Sequence, residues 1–321
     1  MAFDLMIQAA QQHKSIQLID TISNTIVTIH SKGALMNSWK VDHNQQQSEL
    51  ILGNPSNQLD NANIENGLSF EMNGFRSGKM SPFSCRIDHG QYHWMNQSYQ
   101  FSKFYLGAHA MHGLVYDANF EIRTTTIDKN YATVELVFDY LGTDPGFPFP
   151  YEIMVQWTLF PAQLIQAKTT IKNKSNQIIP VMDGWHPYFT LGGQVNEYSL
   201  EFHAAGKVEL NDALIPTGKT MEEKSFETAR QIGEAHFDDC YLLAASNNKV
   251  ILSYQGKSII VQPIHNYPYL QLYTPDDRKS IAIENLSGAP NCFNNKMGLQ
   301  ILEPQDQIYF ETNYQFKASY N

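Results

Sequence analysis

Basic residues are scarce in this chain. Twenty-two Lys and Arg stand against 32 Asp and Glu, a formal net charge of -10 over 321 residues. That balance excludes a nucleic-acid binder built on clustered cations. It disfavours an anionic membrane surface and gives no electrostatic steering to phosphorylated substrates. Cysteine is scarce too. Cys85, Cys240 and Cys292 are far apart and odd in number, so they form neither a disulfide framework nor a Cys-x-x-Cys metal pattern. Long apolar runs are missing, and none approaches the roughly 18 residues of a membrane span. The opening residues Met1 to Gln8 lack a positive region followed by an apolar one. A cytoplasmic, reducing location is the expectation, with no membrane and no nucleic acid as partners. Helical periodicity is missing as well. No segment longer than ten residues carries an apolar helical stripe, and the nearest, Met221 to Ile232, is polar and reads as loop. There is no internal repeat and no low-complexity linker, so one domain over 1–321 is expected.

What remains is strand after strand. Thr25 to His30 and Gly33 to Val41 form a hairpin pattern, and Glu49 to Leu52 a short strand. Asn54 to Asn73 is rich in Asn and Gly and reads as a long loop. Gln91 to Trp94 and Ser98 to Phe101 flank a turn. Ala118 to Ile127 and Tyr131 to Tyr140 flank Asp128-Lys-Asn130, and Tyr151 to Phe160 and Leu164 to Asn173 flank Pro161-Ala162. Later strands are Tyr198 to His203, Lys249 to Tyr254, Ser258 to Ile264, Tyr269 to Tyr273, Ser280 to Glu284 and Leu299 to Leu302. Strict alternation puts Val134, Leu136, Phe138 and Tyr140 on one face, and likewise Ile308, Phe310, Tyr314 and Phe316. Gly142 to Pro150 holds three prolines and two glycines and reads as a rim loop. Many short strands with turn signals between them predict an all-β, large antiparallel β-sandwich.

Five short stretches could carry chemistry. Val181 to Leu191 surrounds His186 with Trp185, Tyr188 and Phe189. Pro187 biases His186 toward extended backbone, and Gly184 permits a close backbone approach. A buried core histidine is the competing reading. Ser81 to Ile87 carries Arg86, one of five arginines, whose planar five-donor fork suits adjacent hydroxyl oxygens. An ion-paired surface Arg is the alternative. Gly107 to Leu114 carries His109 and His112. A metal pair there would need a third ligand and a supporting shell, and neither stands nearby, so no metal is expected. His236 to Leu242 carries the carboxylates Asp238 and Asp239, either a hydroxyl-binding pair of oxygens or a solvated turn. In Ser280 to Glu284, alternation sets Ile281 and Ile283 against Ala282 and Glu284. A Glu opposite a packed face is paired or functional, and an edge-strand Glu in water is the alternative.

In this order, these stretches resemble the aldose 1-epimerase family, the galactose-mutarotase-like proteins. Gly184-Trp-His-Pro-Tyr-Phe189 resembles that family's Gly-x-His-Pro-Tyr-Phe segment, and Pro82-Phe-Ser-Cys-Arg-Ile87 its Pro-Phe-x-Asn-Arg-Ile, with Cys85 where Asn is common. His112-Gly113 resembles its second histidine followed by glycine. Phe237-Asp238 resembles its Leu-Asp, with Asp239 replacing the usual His, and Glu284 with the Pro- and Asn-containing loop after it resembles its last strand. Pro148 to Leu159 and Ile215 to Gly218 add accessory matches. The resemblance implies the galactose mutarotase-like supersandwich and ring-opening interconversion of the α and β anomers of a free aldohexose such as glucose or galactose. In that role Glu284 is the base on the C1 hydroxyl and a protonated His186 is the acid at the ring oxygen. His112, Arg86 and Asp238 bind the monosaccharide, and no cofactor is needed. Trp185 is expected against the sugar face. Two alternatives stay open at this point. One is an epimerase of a hexose 6-phosphate or other modified sugar, although Leu114-Val-Tyr-Asp117 carries no cation after His112-Gly113. The other is a non-catalytic sugar-binding protein on the same fold.

Overall fold

The computed structural model describes residues 2–10, 13–55 and 74–319. Two large antiparallel sheets dominate it. The nine-stranded sheet runs in the spatial order Glu121–Ile127, Ala132–Tyr140, Tyr151–Phe160, Leu164–Asn173, Gln307–Ala318, Lys257–His265, Val250–Tyr254, Ser199–Phe202 and Arg230–Gln231. The second sheet runs Pro216–Met221, Ala204–Leu210, Asp238–Leu243, Tyr269–Tyr273, Ile281–Leu286, Gly184–Trp185 and Lys79–Met80, with Tyr188–Phe189 also paired to Ile281–Leu286. A five-stranded meander, Phe3–Ala9 through Gln46–Glu49, precedes them. The single α-helix among the described residues is Cys292–Asn295, so no described helix is long and apolar enough to cross a membrane.

The alternation seen in sequence is the reason the sheets stack. Val134 and Leu136 are fully buried, and Phe310, Tyr314 and Phe316 are nearly so. Trp157 of the nine-stranded sheet meets Trp185 of the second sheet with ring centroids 5.0 Å apart. Phe189 meets Tyr314 at 5.8 Å. Two-layer burial of this kind, with side chains of both inner faces interdigitating, is how antiparallel sheets form a core.

Several strands extend beyond or shift from their expected places. The fourth strand of the meander runs Met36–His43 and the fifth Gln46–Glu49, where a strand over Glu49 to Leu52 was expected; only Ile51 adds an isolated bridge to Phe189. Met221 to Ile232 is mostly irregular as expected, apart from the short strand Arg230–Gln231. The Pro- and Gly-rich loop 142–150 is no solvated rim. Asp144, Phe147 and Phe149 are buried, and Tyr140 donates its hydroxyl to the Phe147 carbonyl at 2.9 Å. The long loop expected over Asn54 to Asn73 lies outside the described residues apart from positions 54 and 55.

The central strand Ile281–Leu286 divides the molecule chemically. Ile281, Ile283 and Asn285 face the nine-stranded sheet, where Thr312 donates to Asn285 Oδ1 at 2.6 Å. Ala282, Glu284 and Leu286 point the other way, because successive side chains on a strand alternate.

Candidate active site

Glu284 lies in the middle of that strand, and its neighbours across the sheet are fixed by register. Cys240 pairs with Gln271, and Gln271 pairs with Glu284. One row further along, Asp238 pairs with Tyr273, and Tyr273 with Ala282. Directly opposed residues share a face. The ladder therefore brings Asp238, Gln271, Tyr273 and Glu284 to one surface.

His186 reaches the same surface from the strand Gly184–Trp185. Gly184 lies opposite Leu286, and a Cβ on it would stand 2.6 Å from Leu286 Cδ2, so any other residue there would have to displace that side chain. His186 then donates its amide to the Gly78 carbonyl at 3.1 Å and accepts the Ser77 amide at 2.9 Å. Its Nε2 stands 3.3 Å from Glu284 Oε1.

Arg86 and His112 come from a third segment. Met111 pairs with Arg86, and the His112 amide donates to the Cys85 carbonyl at 3.0 Å. Cys85 and His112 both adopt left-handed backbone, at φ 52 and 54. Non-glycine residues in that region are uncommon and concentrate at functional sites. Gly113 has a structural reason. A Cβ there would lie 2.2 Å from the Ser81 carbonyl oxygen, so its close approach is to the chain's own backbone.

Together these residues line a cavity of about 280 Å³. Arg86, His112, His186, Asp238 and Glu284 all face it. So do Gly74, Phe75, Cys85, Leu106, Met111, Tyr188, Gln271 and Tyr273. All five residues singled out from sequence thus meet in one place. A wider, open groove lined by Glu197, Ser253, Tyr254, Lys257 and Lys317 holds none of the five residues singled out from sequence.

The aromatic walls differ from expectation. Trp185 is buried on the inter-sheet side against Trp157 and touches no part of the cavity. It ends the strand Gly184–Trp185, and His186, the extended residue that follows, turns its side chain the other way. Tyr188 lines the cavity instead, stacking on His186 at 4.9 Å with rings 13° from parallel. Phe75 packs edge-on against His112 at 4.5 Å, and His112 against His186 at 5.1 Å. Sequence reasoning placed Tyr188 beside His186 but missed Phe75 and Gln271. The signal for Gln271 was a lone amide in the otherwise apolar and aromatic strand Tyr269–Tyr273. It donates to Asp238 Oδ1 at 2.9 Å. The two adjacent aspartates separate cleanly: Asp238 lines the cavity, whereas Asp239 pairs with Lys207 at 2.8 Å. His109 lies 3.2 Å from Asp88 and takes no place in the cavity.

Burial governs the protonation states. It raises Glu284 well above the usual carboxylate range, Asp238 adds to the rise and Arg86 opposes it. Burial lowers His186 to about 4, against a smaller backbone hydrogen-bond contribution. It also lowers His112 well below the usual imidazole range, helped by His186 and Arg86. Asp238 is raised by burial, with Arg86 pulling back. Burial therefore favours the neutral imidazole of His186 and the protonated form of Glu284 in the unliganded cavity. Glu284 Oε2, Gln271 Oε1 and His112 Nδ1 are buried and find no hydrogen-bond partner among the described residues. Buried polar atoms are seldom left so, and such groups need an explanation.

The arrangement defines a class. It is a two-layer antiparallel β protein whose small cavity holds an acid–base pair among hydroxyl-matching donors and acceptors. The family model for aldose 1-epimerase matches residues 14–315, and the chain belongs to that family. The uncharacterized protein YihR of Escherichia coli (strain K12) is 24% identical over 229 residues, which cover 69% of this chain and 73% of that one. Two solved structures share the fold across 99% of each chain. They are a galactose mutarotase-like protein from Clostridium acetobutylicum, with a TM-score of 0.83 at 15% identity, and galactose 1-epimerase from Lactobacillus acidophilus NCFM, with 0.81 at 18%.

Proposed function

We propose that the protein is a cofactor-independent aldose 1-epimerase that interconverts the α and β anomers of a free aldohexose such as glucose or galactose. The observation that carries this reading is the His186–Glu284 contact at 3.3 Å inside a cavity sized for one small ligand. Anomer exchange moves one proton off the C1 hydroxyl and one onto the ring oxygen. That requires a base and an acid on one site, holding a single proton between them.

Burial opposes the charged form of either group, which supports a pair that shares one proton. With the proton on His186, Glu284 is a carboxylate that takes the C1 hydroxyl proton. The O–H electrons form the C1 carbonyl, the bond from C1 to the ring oxygen breaks, and His186 protonates that oxygen. The pair then stands as protonated Glu284 and neutral His186. This is the state that burial favours in the empty cavity, and it is the state reclosure needs. After rotation about C1–C2, Glu284 returns its proton to the carbonyl oxygen while His186 accepts the one on the C5 hydroxyl. His112 supports the ring oxygen, and Arg86 and Asp238 orient the hydroxyls.

Arg86 is the one cation among the described residues lining the cavity, and it faces the carboxylates of Asp238 and Glu284. Lys79 is buried between the sheets and Lys103 stands 4.0 Å from Asp117. That charge pattern supports a neutral sugar over a hexose phosphate. An acid–base pair supports turnover over binding alone. The site draws on residues from 74 to 284, which supports a single working domain. Three free, buried thiols fit a reducing, cytoplasmic setting.

Polarimetry of freshly dissolved α-D-glucose and α-D-galactose, with and without the protein and beside His186→Ala, tests the proposal. Faster mutarotation that disappears in the variant is expected. No acceleration on either sugar, with acceleration on glucose 6-phosphate, would replace this substrate class by phosphorylated hexoses.

A further inference from the structure

Behind the catalytic strands, on the side away from the cavity, lies a charged cluster that the chemistry above does not use. Lys79 and Asp183 are both fully buried, with Nζ 2.5 Å from Oδ2. Tyr267 donates its hydroxyl to the same Oδ2 at 2.5 Å. Lys79 also donates to the Gly184 carbonyl at 3.1 Å and stands 4.3 Å above the Trp185 ring. None of the three lines the cavity.

A buried ion pair is weak evidence for stability. Taking both charges out of water costs about as much as their attraction returns, and apolar replacements are often as stable. Burial lowers Lys79 to about 8 in spite of Asp183 and raises Asp183 in spite of Lys79. Asp183 Oδ1 has no hydrogen-bond partner among the described residues. Stability is thus a poor reason for the cluster to be there, and its position suggests another.

The cluster's hydrogen bonds to its surroundings fall within three residues of His186 and Glu284. Asp183 donates its amide to Ser287 Oγ and accepts the Ser287 amide, each at 2.9 Å. Asp183 is three residues before His186, and Ser287 three after Glu284. Lys79 lies opposite Trp185 and next to Gly78, whose carbonyl takes the His186 amide. At the other end, Tyr188 pairs with Ala282. The register that sets His186 against Glu284 is therefore held from both sides, and the cluster is one of the two holds.

We propose that Lys79, Asp183 and Tyr267 are positioning residues for the acid–base pair, fixing the backbone from Asp183 to His186 so that the imidazole stays against Glu284. This rests on the epimerase reading for its effect on turnover, but not for its effect on geometry.

The test compares wild type with the double variant Lys79→Met/Asp183→Asn, which keeps shape and the Tyr267 hydrogen bond while removing both charges. Two readouts are taken on folded protein: mutarotation kinetics, and ¹⁵N resonances of the His186 ring. A slack acid–base geometry loses rate out of proportion to the displacement, up to about 10²-fold for 1 Å. The expected result is a kcat lowered about tenfold or more, KM within about twofold, and His186 resonances broadened or doubled. Lys79→Met alone should lose at least as much, and Lys79→Met/Asp183→Asn is the variant that keeps the test valid if the single one does not fold. A folded double variant with unchanged kcat and unchanged His186 resonances overturns the proposal. If wild type turns over no sugar, yet the His186 resonances change in the double variant, the epimerase reading fails and the positioning role stands.

Discussion

The two faces of the strand Ile281–Leu286 divide labour. The face toward the nine-stranded sheet is apolar packing, Ile281 and Ile283, with Asn285 held by Thr312. The opposite face concentrates ionisable groups against a cavity, with Glu284 as its centre and Asp238, His112 and His186 around it. One face lowers the free energy of the fold, while the other carries groups whose charged forms burial opposes. Substitutions on one strand should therefore split into stability effects and activity effects according to the parity of the residue number.

Glu284→Gln puts the largest strain on this comparison. It should lower kcat by about 10²–10⁴-fold, the usual worth of one general acid–base group, with the circular dichroism spectrum unchanged. It should also raise the melting temperature at pH 8. The folded state holds the Glu284 proton to a higher pH than the unfolded chain does, so the folded state binds more protons and stability falls as pH rises through that window. Glutamine removes that loss. A Gln variant that melts lower at pH 8 would break the comparison. The same single shared proton predicts a bell-shaped pH profile for kcat/KM. Its acid limb lies near 4, where His186 also protonates and no base remains, and its alkaline limb lies above the ordinary carboxylate range, where no acid remains.

Ile283→Ala, one residue away, should behave the other way round. Truncation of a fully buried aliphatic side chain costs about 2–5 kcal/mol, visible as a lower urea midpoint, while kcat per folded molecule changes little. Smaller still is the contrast between the adjacent carboxylates. Asp238→Asn should raise KM by roughly tenfold, through loss of hydrogen bonds to a charged acceptor at about 1.5–3 kcal/mol. Asp239→Asn removes a partly exposed pair with Lys207 and leaves an amide that can still meet the Tyr241 hydroxyl, so it should move neither KM nor stability by more than about 1 kcal/mol. Equal effects at 238 and 239 would show that the ladder register does not decide which carboxylate meets the sugar.

Legibility from sequence followed the same division. Tyr151–Phe160, Leu164–Asn173 and Tyr269–Tyr273 were readable to the residue, because buried alternation bounded by turns is a strong signal. Phe3–Ala9 and Pro216–Met221 were not. Both are largely exposed edge strands, so their alternation has no burial to enforce it. Ala204–Leu210 was missed for a related reason: its register shifts at Gly206 break the period. At the site, the five motif residues were legible through their resemblance, in order, to the aldose 1-epimerase segments; each stretch alone left a structural alternative open. Gln271 and Phe75 were not, since their roles depend on which strands become neighbours. Trp185 was assigned to the wrong side for want of one application of strand alternation.

The cavity also has a consequence in time. Its acid–base partners are joined by strand pairing between segments far apart in sequence, and Arg86 and Asp238 are more distant from each other still. Non-local pairing of this kind is slow to form, because the chain must be closed before the contacts reward it. No fragment of the chain ending before residue 284 can hold the pair. Recovery of any cavity-dependent activity after dilution from denaturant should therefore report pairing of the sheet through residue 284 rather than folding of an earlier segment.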